Sequence, residues 1–178
     1  MTEDTIAERL RRISAYEAGV RKTPVTRLLL NIGGSAWFAR VYRRLGPAVD
    51  PWMMRRSHGR IISRVYGLPA LLLATRGRRS GERRVSPLLY IRDGDDFVVV
   101  GTNFGQHQHP GWTANLLADP EAEVTVGPET LRVRAEMFDE ENWQRMWPRF
   151  VAVYPGYQSY LTRTGGRHPR MFVLRPTG

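Results

Sequence analysis

Two short apolar runs are joined by a glycine-bracketed turn crowded with arginine, and this unit limits what the chain can become. Ala70-Leu71-Leu72-Leu73-Ala74 leads in, Thr75-Arg76-Gly77-Arg78-Arg79-Ser80-Gly81-Glu82-Arg83-Arg84-Val85-Ser86-Pro87 makes the turn and its shoulders, and Leu88-Leu89-Tyr90-Ile91 leads out. Apolar runs of this length bounded by turn residues read as two paired strands. Four arginines fall within seven residues, at positions 78, 79, 83 and 84. Backbone N–H groups in such a turn can point outward as a nest, and guanidinium forks match phosphate or carboxylate oxygens. The alternative is a solvated hairpin whose arginines keep an edge soluble.

Composition narrows the class. A chain of 178 residues with 42% hydrophobic content suits one globular domain with a substantial core. Cysteine is absent, which removes disulfides, thiolate catalysis and cysteine metal sites. The histidines include His107-Gln108-His109 but no carboxylate at zinc spacing, so no metal site is expected. No apolar run reaches membrane-helix length, and the N-terminus, Met1-Thr-Glu-Asp, is acidic rather than signal-like. A cytoplasmic location is expected. The net charge of +10 belongs to the first half, and of the 27 cations only Lys22 is lysine. Such a basic half attracts nucleic acid, anionic lipid or an anionic cofactor alike. No nucleic-acid reader motif is present, and nucleic-acid binding is not expected.

The pattern along the chain changes near residue 67. Thr5-Ile-Ala-Glu8 fits a capping box, and Ile6, Leu10 and Ile13 then recur at helical spacing until Gly19. Further helices are expected near Pro24, over 35–45, and around 52–56 and 59–65. The apolar residues Trp37, Phe38, Val41 and Leu45 flanked by arginine could lie on an anionic membrane, cap the main domain or build a dimer interface. Strands are predicted at 70–76, 85–92, 97–102, 124–126, 130–137 and 171–174. In the fifth, Leu131, Val133, Ala135 and Met137 alternate with Arg132, Arg134 and Glu136, so one face should be buried. Helices are predicted from Pro110 to Ala118 and from an Asp139 cap to about Tyr154, with a helical turn over 157–161. The organisation is a helical extension over 1–66 followed by an antiparallel β domain with helices (α+β) over 67–178. Six strands in so short a span favour a small closed barrel.

Several stretches carry candidate chemistry. Glycine spacing in Gly101-Thr102-Asn103-Phe104-Gly105 lets backbone approach a flat ligand closely. His109-Pro110-Gly111-Trp112 opens a helix whose first N–H groups form a donor site. Trp112 can add an apolar wall and an N–H donor. His107 and His109 are candidate proton donors, with a capping or surface role as the alternative. Tyr154, Tyr157 and Tyr160 share one side of a helical turn, which fits either core packing or a ligand pocket.

In order and spacing, four of these stretches resemble the deazaflavin-dependent nitroreductases, a branch of the flavin- and deazaflavin-binding split-barrel oxidoreductases. They are Thr75–Gly81 running on to Arg84 and Pro87, Gly101–Asn103 with Gly105, His109–Leu116 running on to Asp119-Pro120, and Tyr154–Tyr160. Residues 1–60 lie largely outside the likeness. The resemblance implies an FMN-binding-like split barrel and the 8-hydroxy-5-deazaflavin coenzyme F-420, whose phosphodiester and polyglutamate tail are acidic. It places Arg78, Arg79 and Arg84 on the phosphate and tail side, with Ser80 as a hydroxyl donor. Pro87, Leu88, Thr102, Asn103, Gly111 and Trp112 fall near the ring system. Tyr154, Tyr157 and Tyr160 line the acceptor side as candidate catalytic groups, and His109 stays a candidate catalytic group by its own chemistry as a proton donor. Where relatives often carry a cation this chain has Asn103. The implied activity is hydride transfer from the reduced cofactor to an electrophile: a quinone, an enone or other activated alkene, or a nitroaromatic. The alternatives are a non-catalytic flavin or deazaflavin carrier and an FMN-dependent reductase. The resemblance also implies a homodimer, and the N-terminal helices a peripheral association with the inner face of a membrane.

Overall fold

Alternation of apolar and polar residues builds a barrel with a filled interior. A computed structural model of the chain describes residues 4–20, 67–163 and 167–177. The six strands are β1 (Ala70–Arg76), β2 (Arg83–Asp93), β3 (Asp96–Gly101), β4 (Glu121–Val126), β5 (Glu129–Met137) and β6 (Arg170–Thr177). They close in the order β1-β2-β3-β6-β5-β4, and every neighbouring pair is antiparallel. Closure pairs both edges of each strand. The expected closed antiparallel barrel is the fold observed. The helices expected between Pro24 and residue 65, with the apolar face of Trp37, Phe38, Val41 and Leu45, lie outside the described residues.

The interior collects one face of each strand: Leu71 and Leu73, Tyr90, Phe97 and Val99, Val124 and Val126, Leu131 and Val133, Phe172 and Leu174. On β5 the alternation holds through Ala135, but Met137 ends the strand and is 49% exposed, against the expectation that it faces inward. Strands also run further than their apolar stretches. β2 begins at Arg83, paired with Arg76, and β4 begins at Glu121, paired with Arg134.

Helices close the two ends. Helix α1 (Ile6–Ala18) starts with the expected capping box, in which Glu8 N–H donates to Thr5 Oγ1 (3.4 Å) and Thr5 N–H donates to Glu8 Oε2 (3.1 Å). Its Leu10 and Ile13 join the barrel interior cluster. Outside that contact, Arg9 (3.3 Å) and Arg12 (2.7 Å) hold Glu129 beside the β4–β5 turn, and Tyr90 inside the barrel donates to Glu17. Gly127, at φ 56°, sits against the Tyr16 ring, where a Cβ would stand 2.8 Å away. The boundary expected at residues 66 and 67 borders undescribed chain, and α1, on its far side, shares the barrel core. Helix α2 (Gly111–Ala118) covers the opposite end of β1 and adds Trp112 and Leu116 to the same cluster.

A second apolar cluster lies outside the barrel wall. Helix α3 (Glu140–Val153), capped by Asp139 accepting from Asn142 N–H (2.9 Å), brings Trp143, Met146, Trp147 and Phe150 onto Ile91, Val98, Val100 and Met171. Helix α4 (Gly156–Arg163) adds Tyr157 and Tyr160. Arg145 (2.9 Å) and Arg149 (3.1 Å) tie α3 to Asp93 at the β2–β3 turn, holding its carboxyl below the ordinary range, first through the Arg145 hydrogen bond.

Candidate functional site

The arginine turn and the start of α2 form one unit, joined by a single side chain. Asn115 on α2 donates through Nδ2 to Thr75 Oγ1 (3.0 Å) and accepts at Oδ1 from the Arg78 N–H (3.1 Å). Asn115 and Thr75 are both buried, so the bond between them forms away from water, while the Arg78 N–H bond is only partly buried. The turn is closed internally by Gly77 N–H to the Glu82 carbonyl (2.8 Å) and Gly81 N–H to the Gly77 carbonyl (2.7 Å).

This geometry divides the arginines. Arg83 pairs with Glu123 (2.9 Å) and Arg84 with Glu82 (2.7 Å), both on exposed side chains. Arg78 and Arg79 are exposed and form no ion pair among the described residues. Ser80 is exposed and accepts from Glu82 N–H (3.3 Å) within the turn.

At the start of α2, Gly111 is exposed, and nothing lies within 4 Å of the position a Cβ would take there. The start of α2 carries the positive end of the helix dipole, and of its first-turn N–H groups that of Thr113 already donates to the Pro110 carbonyl (3.1 Å). Trp112 points the other way. It is buried in the barrel cluster, with its ring 5.7 Å from Phe172. Leu88 also packs against that cluster, and Pro87, half-buried, pairs with Leu72 on β1.

Gly101–His109 forms the other wall, and here the glycines serve protein contacts. A Cβ at Gly101 would stand 2.7 Å from Thr113 Cγ2 and 3.2 Å from Pro110 Cγ, so its absence lets α2 approach β3. Gly105, at φ 76°, passes 3.3 Å from Tyr160 Cα by the same measure. The close approach expected to a flat ligand is, at both positions, an approach to another part of the chain. Asn103 adopts φ 50°, a left-handed conformation that asparagine tolerates better than most residues, and its Nδ2 donates to the Gln108 carbonyl (2.9 Å). Thr102 is buried. Arg167, which no motif marks, donates to Gly101, Thr102, Gln106 and His109.

Tyr154, Tyr157 and Tyr160 come together, with ring centroids 5.3–6.2 Å apart. The Tyr154 and Tyr160 hydroxyls are 3.5 Å apart, and Trp147 and Phe150 pack on Tyr157. All three belong to the cluster outside the barrel and are buried. Burial pushes the Tyr157 and Tyr160 phenols well above the ordinary tyrosine range, so both remain O–H groups at neutral pH. Gly156 exists to fit this arrangement, since a Cβ there would stand 2.4 Å from the Tyr154 ring.

A shallow depression of about 330 Å³ lies on the outer wall beside the turn, lined by Ala74, Arg76, Arg83, Glu121, Glu123 and Arg132 among others. Among the described residues no group of three or more metal-ligating side chains forms, and no helix is long and apolar enough to cross a membrane.

Comparison with known proteins places this architecture. The family model described as F420H(2)-dependent quinone reductase matches residues 48–176. An F420H(2)-dependent quinone reductase of Mycobacterium tuberculosis (strain ATCC 25618 / H37Rv) is 35% identical over 116 residues, covering 61% of this chain and 78% of that protein. A solved structure of an F420-H2 dependent reductase (FDR-A) superposes with a TM-score of 0.56 at 30% identity, covering 60% of this chain and 94% of that one. Another, described as a domain-swapped dimer, gives a TM-score of 0.56 at 27% identity over 73% of this chain and 98% of that one. The matching family is described by quinone reduction rather than by nitro-group reduction, and the family, the mycobacterial relative and the FDR-A structure are all named for F420, leaving FMN without support. The chain belongs to the F420H(2)-dependent quinone reductase family.

Proposed function

We propose that the protein is a reductase that binds reduced coenzyme F-420 between the arginine turn and the start of α2 and passes its hydride to a quinone. The observation that carries this reading is the Asn115 bridge, which ties the turn bearing Arg78 and Arg79 to α2 through Thr75 and the Arg78 N–H. The residues present fit an acidic ligand. Arg78 and Arg79 have guanidinium groups available for phosphate or carboxylate oxygens, and a bidentate fork suits both. Arg84 is held by Glu82 in an exposed pair, worth at most about 1 kcal/mol, so a ligand oxyanion can take Glu82's place. Gly111 leaves the approach to α2 open.

The bound deazaflavin supplies two-electron hydride chemistry from its C5 position. The chain's part is to hold donor and acceptor in register and to keep water away. The tyrosine cluster supports the acceptor side from behind: α4 packs against the turn at Asn103–Gly105, and its phenols stay protonated.

The test is direct. Reduced F-420 is titrated into the protein with fluorescence as the readout, then menadione is added and cofactor oxidation is followed by absorbance. Saturable binding followed by quinone-dependent oxidation is expected. Binding without oxidation across quinones, enones and nitroaromatics would favour the carrier reading, and no binding would remove the proposal. A homodimer is also proposed, supported by the solved relative described as a domain-swapped dimer, and sedimentation tests it.

A further inference from the structure

Arg167 lies between α4 and β6 and spends its whole hydrogen-bonding capacity on one loop. Nε donates to the Gln106 carbonyl (3.1 Å), and Nη2 donates to the carbonyls of Thr102 (2.8 Å) and Gln106 (2.8 Å). Nη1 donates to the Gly101 carbonyl (3.2 Å) and contacts His109 Nδ1 at 3.1 Å. A guanidinium has five N–H donors and no acceptor, so every donor is engaged. No carboxylate among the described residues pairs with it.

The His109 contact therefore has one assignment. Because arginine can only donate, Nδ1 must accept, and the ring proton sits on Nε2. Protonating Nδ1 would set N–H against N–H beside a fixed positive charge. Arg170, whose Nη1 donates to Thr113 Oγ1 (3.4 Å), is the second cation acting on this ring. Burial, then Arg170, then Arg167, moves the His109 pKa below the ordinary histidine value.

We propose that Arg167 is a positioning residue, fixing Gly101–His109 against the start of α2 and holding His109 as the neutral, Nε2-protonated tautomer. His109 then serves the site as a hydrogen-bond donor and not as a titrating acid. The functional meaning rests on the cofactor site proposed above, but the tautomer does not. Two cations with no carboxylate partner among the described residues also make this end of α2 electropositive, which suits an anionic ligand and opposes imidazolium.

The experiment is long-range ¹H–¹⁵N correlation of the labelled full-length protein between pH 5 and 8, with His109→Gln assigning the signal. In the wild type His109 shows the Nε2–H tautomer and titrates below 6.5. In Arg167→Gln its midpoint rises and the tautomers mix, while Arg167→Lys keeps the depressed midpoint. The pH step in affinity for reduced F-420 that follows His109 lies at higher pH in Arg167→Gln than in the wild type, and a second change, His109→Gln, abolishes it. An Nδ1–H tautomer in the wild type overturns the proposal, and that result does not need the Arg167 variants to fold. So does an unchanged ring in a folded Arg167→Gln protein. Failure of the wild type to bind F-420, with the predicted tautomer present, removes the cofactor assignment and leaves the Arg167–His109 coupling standing.

Discussion

Replacing Asn115 with alanine tests the joint between the arginine turn and α2. The substitution removes two hydrogen bonds and leaves two groups without partners. Thr75 Oγ1 belongs to a residue only 2% exposed and cannot recover its bond from water. An orphaned buried polar group costs about 1–3 kcal/mol. The Arg78 N–H is nearer solvent, and losing its bond costs about 0.5–1.5 kcal/mol. The expected loss is therefore about 2–4 kcal/mol. At roughly 2–4 °C per kcal/mol for a chain of this size, the melting temperature should fall by about 4–16 °C. Urea unfolding and calorimetry measure both quantities. The double variant Thr75→Val/Asn115→Leu removes both partners of the buried bond together and should be less destabilised than the sum of its single changes. A melting temperature for Asn115→Ala within about 1 °C of wild type, or strict additivity in the cycle, would refute the bridge as the element that sets the site.

Arg79→Ala should have the opposite profile, with stability within about 0.5 kcal/mol of wild type but weaker F-420 binding and a shallower salt dependence; unchanged titrations at two ionic strengths would remove this residue from the anchor. Ile13→Ala should cost about 2–5 kcal/mol, because the side chain is fully buried in the barrel cluster, and a loss under 1 kcal/mol in urea would show that α1 is not part of the core. The Glu129 carboxyl is held below its ordinary range, first by the Arg12 hydrogen bond. A depressed carboxyl stabilises the fold above its unfolded pKa, and that contribution fades as pH falls through the folded value. Stability should accordingly drop below about pH 4.5, and Glu129→Gln should flatten that drop in urea midpoints measured from pH 3 to 7.

Much of the fold could be read from local pattern. The alternation of Leu131, Val133 and Ala135 with Arg132, Arg134 and Glu136 predicts β5, and the Thr5–Glu8 box predicts the start of α1. What pattern missed is set by partners distant in sequence. β2 starts at Arg83 because Arg76 lies opposite, and nothing apolar marks that residue. The amphipathic face of α1 announces a partner but not that the partner is a barrel end more than a hundred residues away. The candidate site was half legible. Gly101 and Gly105 signal close approach, yet only coordinates show that Thr113 and Tyr160 are what approach. Trp112 reads equally as a wall for a ring and as core, and its contact with Phe172 places it in the core. Arg167 was invisible because backbone carbonyls, its main partners, leave no trace in the choice of side chains. The apposition of His109 was the only available signal, and it is not local.

The docking of α1 has a consequence for how the protein is made. This helix leaves the ribosome before the barrel, and the Glu129 that Arg9 and Arg12 hold is synthesised 117–120 residues later. At roughly 5–20 residues per second, a nascent chain carries Ile6, Leu10 and Ile13 without these barrel partners for about 6–24 s. An amphipathic segment exposed for that long is a natural stopping place for a chaperone, and a bulky fusion at Met1 would delay the last step of assembly more than one at the carboxyl end.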